Sequence, residues 1–141
     1  MTARSSVFLL AALLLGCKIP ASPSQPPVSM SLTAKGKAAE IIHTSKIRVN
    51  TFENVSKGRN PWLDDRIGVN CVVESPFFKT EFTAPADLIV PTFASDQRPF
   101  VTTCTLNGET VSRSSTCFKL RGKDPKTCSY SKVSIIFNHR R

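Results

Sequence analysis

The sequence predicts an all-β fold: a single small β-sandwich of about seven short strands, stabilised by disulfides. Apolar and polar residues alternate in several short runs, which is the pattern of half-buried strands. The 10 prolines leave little room for long helices. The length of 141 residues fits one domain and excludes large architectures such as the eight-stranded α/β barrel, which needs roughly 250 residues.

The N-terminus has the features of an export signal. Arg4 supplies a positive charge, and an uninterrupted apolar run follows over residues 7–15. This run is too short to span a membrane, for which a helix needs about 20 residues. We therefore assign residues 1–16 to a signal peptide.

The end of this signal, Leu14-Leu15-Gly16-Cys17, resembles a bacterial lipobox. In that motif the cysteine thiol receives a diacylglyceryl group, the signal is cut before the cysteine, and the new amine is acylated, commonly with palmitate. The resemblance implies lipidation of Cys17 and stable anchoring, because two or more acyl chains hold a protein where one is marginal. Lys18 replaces the aspartate that usually signals inner-membrane retention, which favours the outer membrane. Leu15 departs from the small or polar residue that is usual at its position.

Residues 17–44 are predicted to form a tether between the lipid and the folded domain. The stretch 18–31 is rich in proline and serine and has almost no bulky apolar residues, so it buries too little surface to fold. Residues 32–44 fit either a short helix or an irregular lead-in, and Gly36 argues against a strong helix. The β-sandwich domain is predicted over residues 45–141.

Within residues 45–141, a tight turn and several strands are predicted. Asn107-Gly108 predicts a type I′ turn between strands over 99–106 and 109–114, because both central positions of that turn need positive φ. A strand over residues 88–90 is expected at a sheet edge or to end at Pro91. The predicted inward residues of the alternating runs are Ile47, Val49 and Thr51; Ile67, Val69, Cys71 and Val73; Phe100, Thr102, Cys104 and Leu106; and Val133, Ile135 and Phe137.

The cysteines form a candidate disulfide framework. If Cys17 carries lipid, four of the 5 cysteines remain, which indicates two disulfides in an exported domain and allows three connectivities. We favour Cys71–Cys104, because it joins two predicted strands through cysteines that share a face with apolar residues. We also favour Cys117–Cys128, which closes a short loop. No Cys-x-x-Cys or His-x-x-x-His spacing occurs, so we expect no metal site and no cofactor.

The segment from Cys71 to Cys104 resembles part of a family of small proteobacterial lipoproteins with an Ig/PEGA-like β-sandwich. Residues 71–75 correspond to the family's cysteine-bearing strand, and residues 78–82 follow it. Residues 83–90 then correspond to a Thr-Pro-type turn and a strand of alternating apolar residues, and Cys104 corresponds to the second cysteine. The resemblance covers roughly residues 46–106. Residue 84 is an extra residue where the family has Thr-Pro, and residues 109–141 have no counterpart. The resemblance implies a small surface or periplasmic binding module without catalytic residues.

The chain is basic, with 19 Lys and Arg against 10 Asp and Glu and a formal net charge of +9. This charge favours an anionic partner such as lipid phosphates or anionic envelope polymers, the alternative being a solvated surface loop. Export and the lack of a recognisable motif argue against nucleic acid. The candidate anion-binding residues lie in the predicted Cys117–Cys128 loop and are Lys119, Arg121, Lys123 and Lys126.

Candidates for catalysis are few. The two histidines, His43 and His139, lie at the predicted domain margins and form no motif with a serine or an aspartate. Asp64-Asp65 offers an acid/base or metal pair in principle, but it is predicted to occupy an exposed turn or a helix start. Trp62 is expected either to pack on the core or to stack on a sugar or a partner.

The sequence thus predicts an exported outer-membrane lipoprotein with a structural or binding role in the cell envelope and no enzymatic activity. Its expected partners are the membrane, through the lipid anchor, and envelope proteins or anionic envelope polymers. One alternative is a soluble secreted binder or inhibitor, whose signal is cut near Ala21. The other is a periplasmic enzyme with an unrecognised site.

Overall fold

The computed structural model describes residues 25–55, 62–94, 99–118 and 129–138. These residues form two β-sheets and one short helix, so the predicted all-β, sandwich-like fold is confirmed. Nine strands are described where about seven were predicted. In chain order the elements are β1 (Val28–Ser29), α1 (Ala34–Ala38), β2 (Ile41–Asn54), β3 (Leu63–Asp65), β4 (Val69–Glu74), β5 (Lys79–Ala84), β6 (Ala86–Phe93), β7 (Phe100–Leu106), β8 (Glu109–Ser115) and β9 (Val133–Phe137).

The first sheet is organised around the long strand β2. Val49 pairs with Ala86 of antiparallel β6 and with Val133 of parallel β9, so β6 and β9 lie on opposite sides of β2. Phe52 pairs with β9 and with Asp65 of β3, so β3 follows β6 along the same side of β2. Strand β1 adds a short parallel pairing to the outer side of β6.

The second sheet has the order β5-β4-β7-β8, and all its neighbours are antiparallel. The β7–β8 hairpin turns at Asn107, with φ 49°, and Gly108, with φ 81°. Both values are positive, as a type I′ turn requires, so the hairpin predicted from Asn-Gly is confirmed.

Inward side chains from both sheets form one hydrophobic core. The alternation in the sequence is confirmed along β2, β4, β7 and β9, because the residues at every second position are buried. Phe100 and Phe137 are the largest of the fully buried side chains. Each such side chain stabilises the fold by about 1.5–3 kcal/mol relative to an exposed position.

Two details of the strand prediction differ from the structure. Ile67 was predicted to face inward but is 75% exposed, because Gly68 has a φ of 76° and β4 begins only at Val69. Strand β6 does not end at Pro91 but continues to Phe93. The described ladder between β6 and β1 ends at Ile89, so Pro91, which lacks an N–H, lies beyond it.

Ordered structure begins earlier in the chain than residue 45. Strand β1 falls within the range predicted to be a tether, and β2 starts at Ile41. The short helix α1 begins after Thr33, whose hydroxyl accepts a hydrogen bond from the Gly36 amide (3.3 Å) and donates one to the Pro76 carbonyl (2.8 Å). The Thr33 amide donates to the Phe77 carbonyl at 2.9 Å, so this lead-in is attached to the 75–78 turn.

Candidate functional site

The predicted Cys71–Cys104 disulfide is present and buried in the core. The two cysteines stand directly opposite each other in the β4–β7 ladder, with their Cα atoms 4.1 Å apart. Both are almost fully buried among apolar side chains. This bond is a structural crosslink between neighbouring strands, and neither sulfur is accessible for chemistry.

The other sequence-predicted site residues lie at or beyond the limits of the described chain. Cys117 is disulfide-bonded, and its partner is outside the described residues, so the Cys117–Cys128 pairing stays a prediction. The residues whose predicted roles fall outside the described ranges are Cys17, Lys119, Arg121, Lys123, Lys126, Cys128 and His139.

An open groove of about 310 Å³ lies where β8 ends and β9 begins. Phe118 and Ser129 are joined by two backbone hydrogen bonds, of 3.0 and 3.1 Å, which hold the two chain segments side by side. Strand β9 packs beside β8, because its pairing with β2 brings it to that edge of the second sheet. The groove, here called the β8–β9 groove, is lined by Arg113, Ser114, Ser115, Thr116, Phe118, Ser131, Lys132, Val133 and Ser134.

The lining of the β8–β9 groove is cationic and rich in hydroxyl groups. Arg113 and Lys132 are both exposed, and neither has a carboxylate partner among the described residues. None of the described residues in the lining is Asp or Glu, and Phe118 is 43% exposed. Such a surface attracts anions and offers hydroxyls that both donate and accept hydrogen bonds.

A second, broader depression of about 570 Å³ lies on the outer face of the second sheet. Two of the hydroxyls in its lining are paired with hydroxyls of β8: Thr103 with Ser112 at 2.8 Å, and Thr105 with Thr110 at 3.1 Å. Among the described residues of its lining, Glu81 carries a charge. Because these hydroxyls already have partners, this face is a weaker candidate for binding than the β8–β9 groove.

Trp62, Asp64 and Asp65 belong to the exposed end of the first sheet. Trp62 is 65% exposed, so it is not a core residue, and its indole N–H donates to an Asp64 carboxylate oxygen at 2.8 Å. Asp64 and Asp65 lie in strand β3, which corrects the predicted turn or helix start. Neighbouring residues of a strand point to opposite faces, so the two carboxylates do not converge on one metal or substrate.

The described chain offers little for catalysis. His43 is exposed in β2, opposite Thr92 in the ladder with β6. Within the described ranges no three His, Cys, Asp or Glu side chains gather as a metal site would require. In the same ranges, no helix has the length and apolar character needed to cross a bilayer.

Tyr130 is the one described group with a clearly perturbed pKa. Burial raises the pKa of its phenol above the usual 10.0, and the neighbouring Thr92 side chain partly offsets this. Its ring lies 5.2 Å from that of Phe100, measured between centroids. Tyr130 therefore packs against the hydrophobic core rather than forming a reactive site.

Sequence reasoning placed the cationic surface in the 119–128 segment and did not identify Arg113 or Lys132. The available signal was compositional: hydroxyl-bearing residues crowd the chain on both sides of that segment, at 112–116 and 129–134. That the two stretches meet depends on the β2–β9 pairing, which joins residues far apart in the chain.

No protein-family model matches the chain, and no curated protein or solved structure shows a significant match to it. The features that bear on function are therefore the chain's own. They are a buried cross-strand disulfide, an exposed tryptophan next to a short strand, and an open groove with two cations and several hydroxyls.

Proposed function

We propose that this protein is an exported lipoprotein of the bacterial cell envelope, anchored by acyl chains on Cys17, with a non-enzymatic structural or binding role. The observation that carries the proposal is the sequence Leu14-Leu15-Gly16-Cys17 directly after an apolar run that is too short to span a membrane. Lys18 after the modified cysteine favours delivery to the outer membrane.

Two properties of the domain support this location. A disulfide between buried cysteines persists in oxidising compartments such as the periplasm and is rare in the cytosol. Removal of the signal takes away Arg4, one of the 19 basic residues, so the mature chain has a formal net charge of 18 − 10 = +8, which suits a surface that faces the anionic lipids and polymers of an envelope. A protein held there by its lipid acts through what its exposed faces bind.

Metabolic labelling with a palmitate analogue tests the anchor. The wild-type chain should incorporate the label and sediment with membranes, whereas Cys17→Ser should lose both properties because serine lacks the thiol that is alkylated. Leu15→Ala is the matched control: it alters the motif at the position where a small residue is usual, so labelling should be kept.

The intact mass of the mature protein, measured without reduction, gives a second readout. Acyl chains on an N-terminal Cys17 support the proposal. A mature chain that starts near Ser22 without lipid and accumulates in the medium contradicts it, and would favour a soluble secreted binder or inhibitor.

We further propose that the basic residues of the 119–128 segment contact anionic lipid headgroups. Replacing Lys119, Arg121, Lys123 and Lys126 by Gln should weaken the binding of an unlipidated Cys17→Ser chain to anionic vesicles at low salt. The control replaces Lys35, Lys37, Lys46 and Lys79 by Gln, which removes the same charge elsewhere. Equal binding by the two variants would contradict a specific role for the segment.

A further inference from the structure

We propose that the β8–β9 groove is a binding site for an anionic sugar, a carbohydrate unit that carries a carboxylate or a phosphate. The anionic group would lie between Arg113 and Lys132, the sugar hydroxyls would bond the serine and threonine side chains, and the ring would lie against Phe118. The inference deepens the binding role proposed above by naming a ligand class. It rests on the proposed function in one respect: the cell envelope would be the source of the glycan.

The charge arrangement supports an anionic ligand. Four other described cations already have carboxylate partners: Lys46 and Arg48 with Asp87, Arg66 with Glu53, and Lys79 with Glu74. Arg113 and Lys132 have no such partner in the described chain, and both line the same groove. Two cations without a neighbouring carboxylate produce a local positive potential, and an arginine fork fits a carboxylate or phosphate with two parallel hydrogen bonds.

The remaining lining favours a sugar over a simple ion. Hydroxyl groups of serine and threonine both donate and accept hydrogen bonds, as sugar hydroxyls do, so the two sets are complementary. Here they are supplied by both walls, from Ser114, Ser115 and Thr116 on one side and from Ser131 and Ser134 on the other. An inorganic anion would use the two cations but would leave these hydroxyls and the apolar ring of Phe118 without a role.

The size of the groove sets the scale of the ligand. A volume of about 310 Å³ is at the lower end of the roughly 300–1,000 Å³ typical of small-molecule sites. It suits a single sugar unit rather than several consecutive units. Because the groove is open, a unit within a longer glycan has the same access as a free sugar.

Titration of the purified full-length mature protein, followed by two-dimensional NMR, tests the proposal. The probes are a uronic acid trisaccharide, a hexose phosphate, a neutral maltotriose and inorganic phosphate. The two anionic sugars should shift the resonances of residues 113–118 and 131–134 in a saturable way. Maltotriose should cause no saturable shift, and inorganic phosphate should bind more weakly than either anionic sugar. Comparison of the two anionic sugars distinguishes a carboxylate source from a phosphate source.

Two variants and a control locate the site. Arg113→Gln combined with Lys132→Gln should weaken binding by at least about tenfold, and Phe118→Ala should weaken it while keeping the backbone pairing with Ser129. Lys35→Gln combined with Lys37→Gln removes the same charge from α1, outside the groove, and should bind like the wild type. Thermal unfolding of each variant shows whether the fold is intact.

Three results would overturn the proposal. These are unchanged binding by the folded Arg113/Lys132 variant, equal loss in the α1 control, and shifts caused as strongly by maltotriose as by the uronate. None of them depends on Cys17. Failure here therefore leaves the envelope location to be decided by the palmitate experiment, and failure of lipidation leaves the groove result intact.

Discussion

Gly36→Ala offers a sharp test of the packing between the N-terminal lead-in and the sandwich. Gly36 is buried in α1, where alanine is normally the better helix former by about 1 kcal/mol. A Cβ built on Gly36 would lie 2.0 Å from the carbonyl oxygen of Phe77 and 3.3 Å from Cβ of Leu32. Helix propensity and packing therefore predict opposite signs for this one substitution.

The size of the effect follows from how firmly Phe77 is held. A carbon normally stays at least about 3.3 Å from a carbonyl oxygen. The added Cβ therefore requires helix α1 and the 75–78 turn to separate by about 1 Å or more. Phe77 resists this movement, because its carbonyl accepts the Thr33 amide at 2.9 Å and its ring stacks on Phe93 at 4.3 Å between centroids. Overpacking typically costs 1–3 kcal/mol, and loss of the Thr33 bond adds about 1 kcal/mol. When the gain of about 1 kcal/mol in helix propensity is subtracted, we expect the free energy of unfolding to fall by about 1–3 kcal/mol.

Urea and thermal unfolding, followed by far-UV circular dichroism, measure this loss. A domain of this size should lose about 4–8 °C in Tm for each kcal/mol. Lys37→Ala is the matched control, because Lys37 is an exposed residue of the same helix and its replacement should change stability by less than about 0.5 kcal/mol. A Gly36→Ala protein as stable as the wild type, or more stable, would refute the close approach of helix and turn.

Three further predictions concern the core and the surface. Replacing both Cys71 and Cys104 by Ala should lower the free energy of unfolding by about 3–4 kcal/mol, because the bond closes a loop with a sequence separation of 33; a loss below about 1 kcal/mol in urea unfolding would contradict this. The raised pKa of Tyr130 means that the unfolded chain loses its phenol proton first as the pH rises. The contribution of this phenol to stability is therefore full below pH 10.0 and falls above it. The Tyr130→Phe variant should accordingly show a smaller drop in Tm than the wild type between about pH 9 and pH 11, and equal drops would contradict the burial of the phenol. Trp62 is the sole tryptophan, so fluorescence should show the red-shifted emission and strong iodide quenching of an exposed indole; emission typical of a buried indole would place it in the core instead.

The strands were predictable where burial is one-sided. Along β2, β7 and β9, alternate residues are buried because one face of each strand meets the core, and a period of two in the sequence records that contact directly. The Asn107-Gly108 turn was predictable for a local reason as well, since its two positive φ angles are a property of those residues.

Short or edge elements were not predictable from local pattern. Strand β3 is three residues long and exists because it pairs with the far end of β2, which no local feature of Leu63–Asp65 records. Gly36 is the clearest case. Its helix propensity predicts a weak helix, whereas in the fold its missing side chain lets α1 approach the Phe77 carbonyl.

The sequence by itself determined the β class, the hairpin, the favoured partner for Cys71 and the expectation of an exported, lipid-anchored chain. These properties depend on the chemistry of neighbouring residues or on a short signal. The tertiary structure alone decided which strands are neighbours, and with them the β8–β9 groove. Its walls come from chain segments on either side of residues 119–128, and they meet because β9 pairs in parallel with β2, far away in the sequence. Long-range pairing of this kind is set by the packing of the whole core, so no local pattern encodes it.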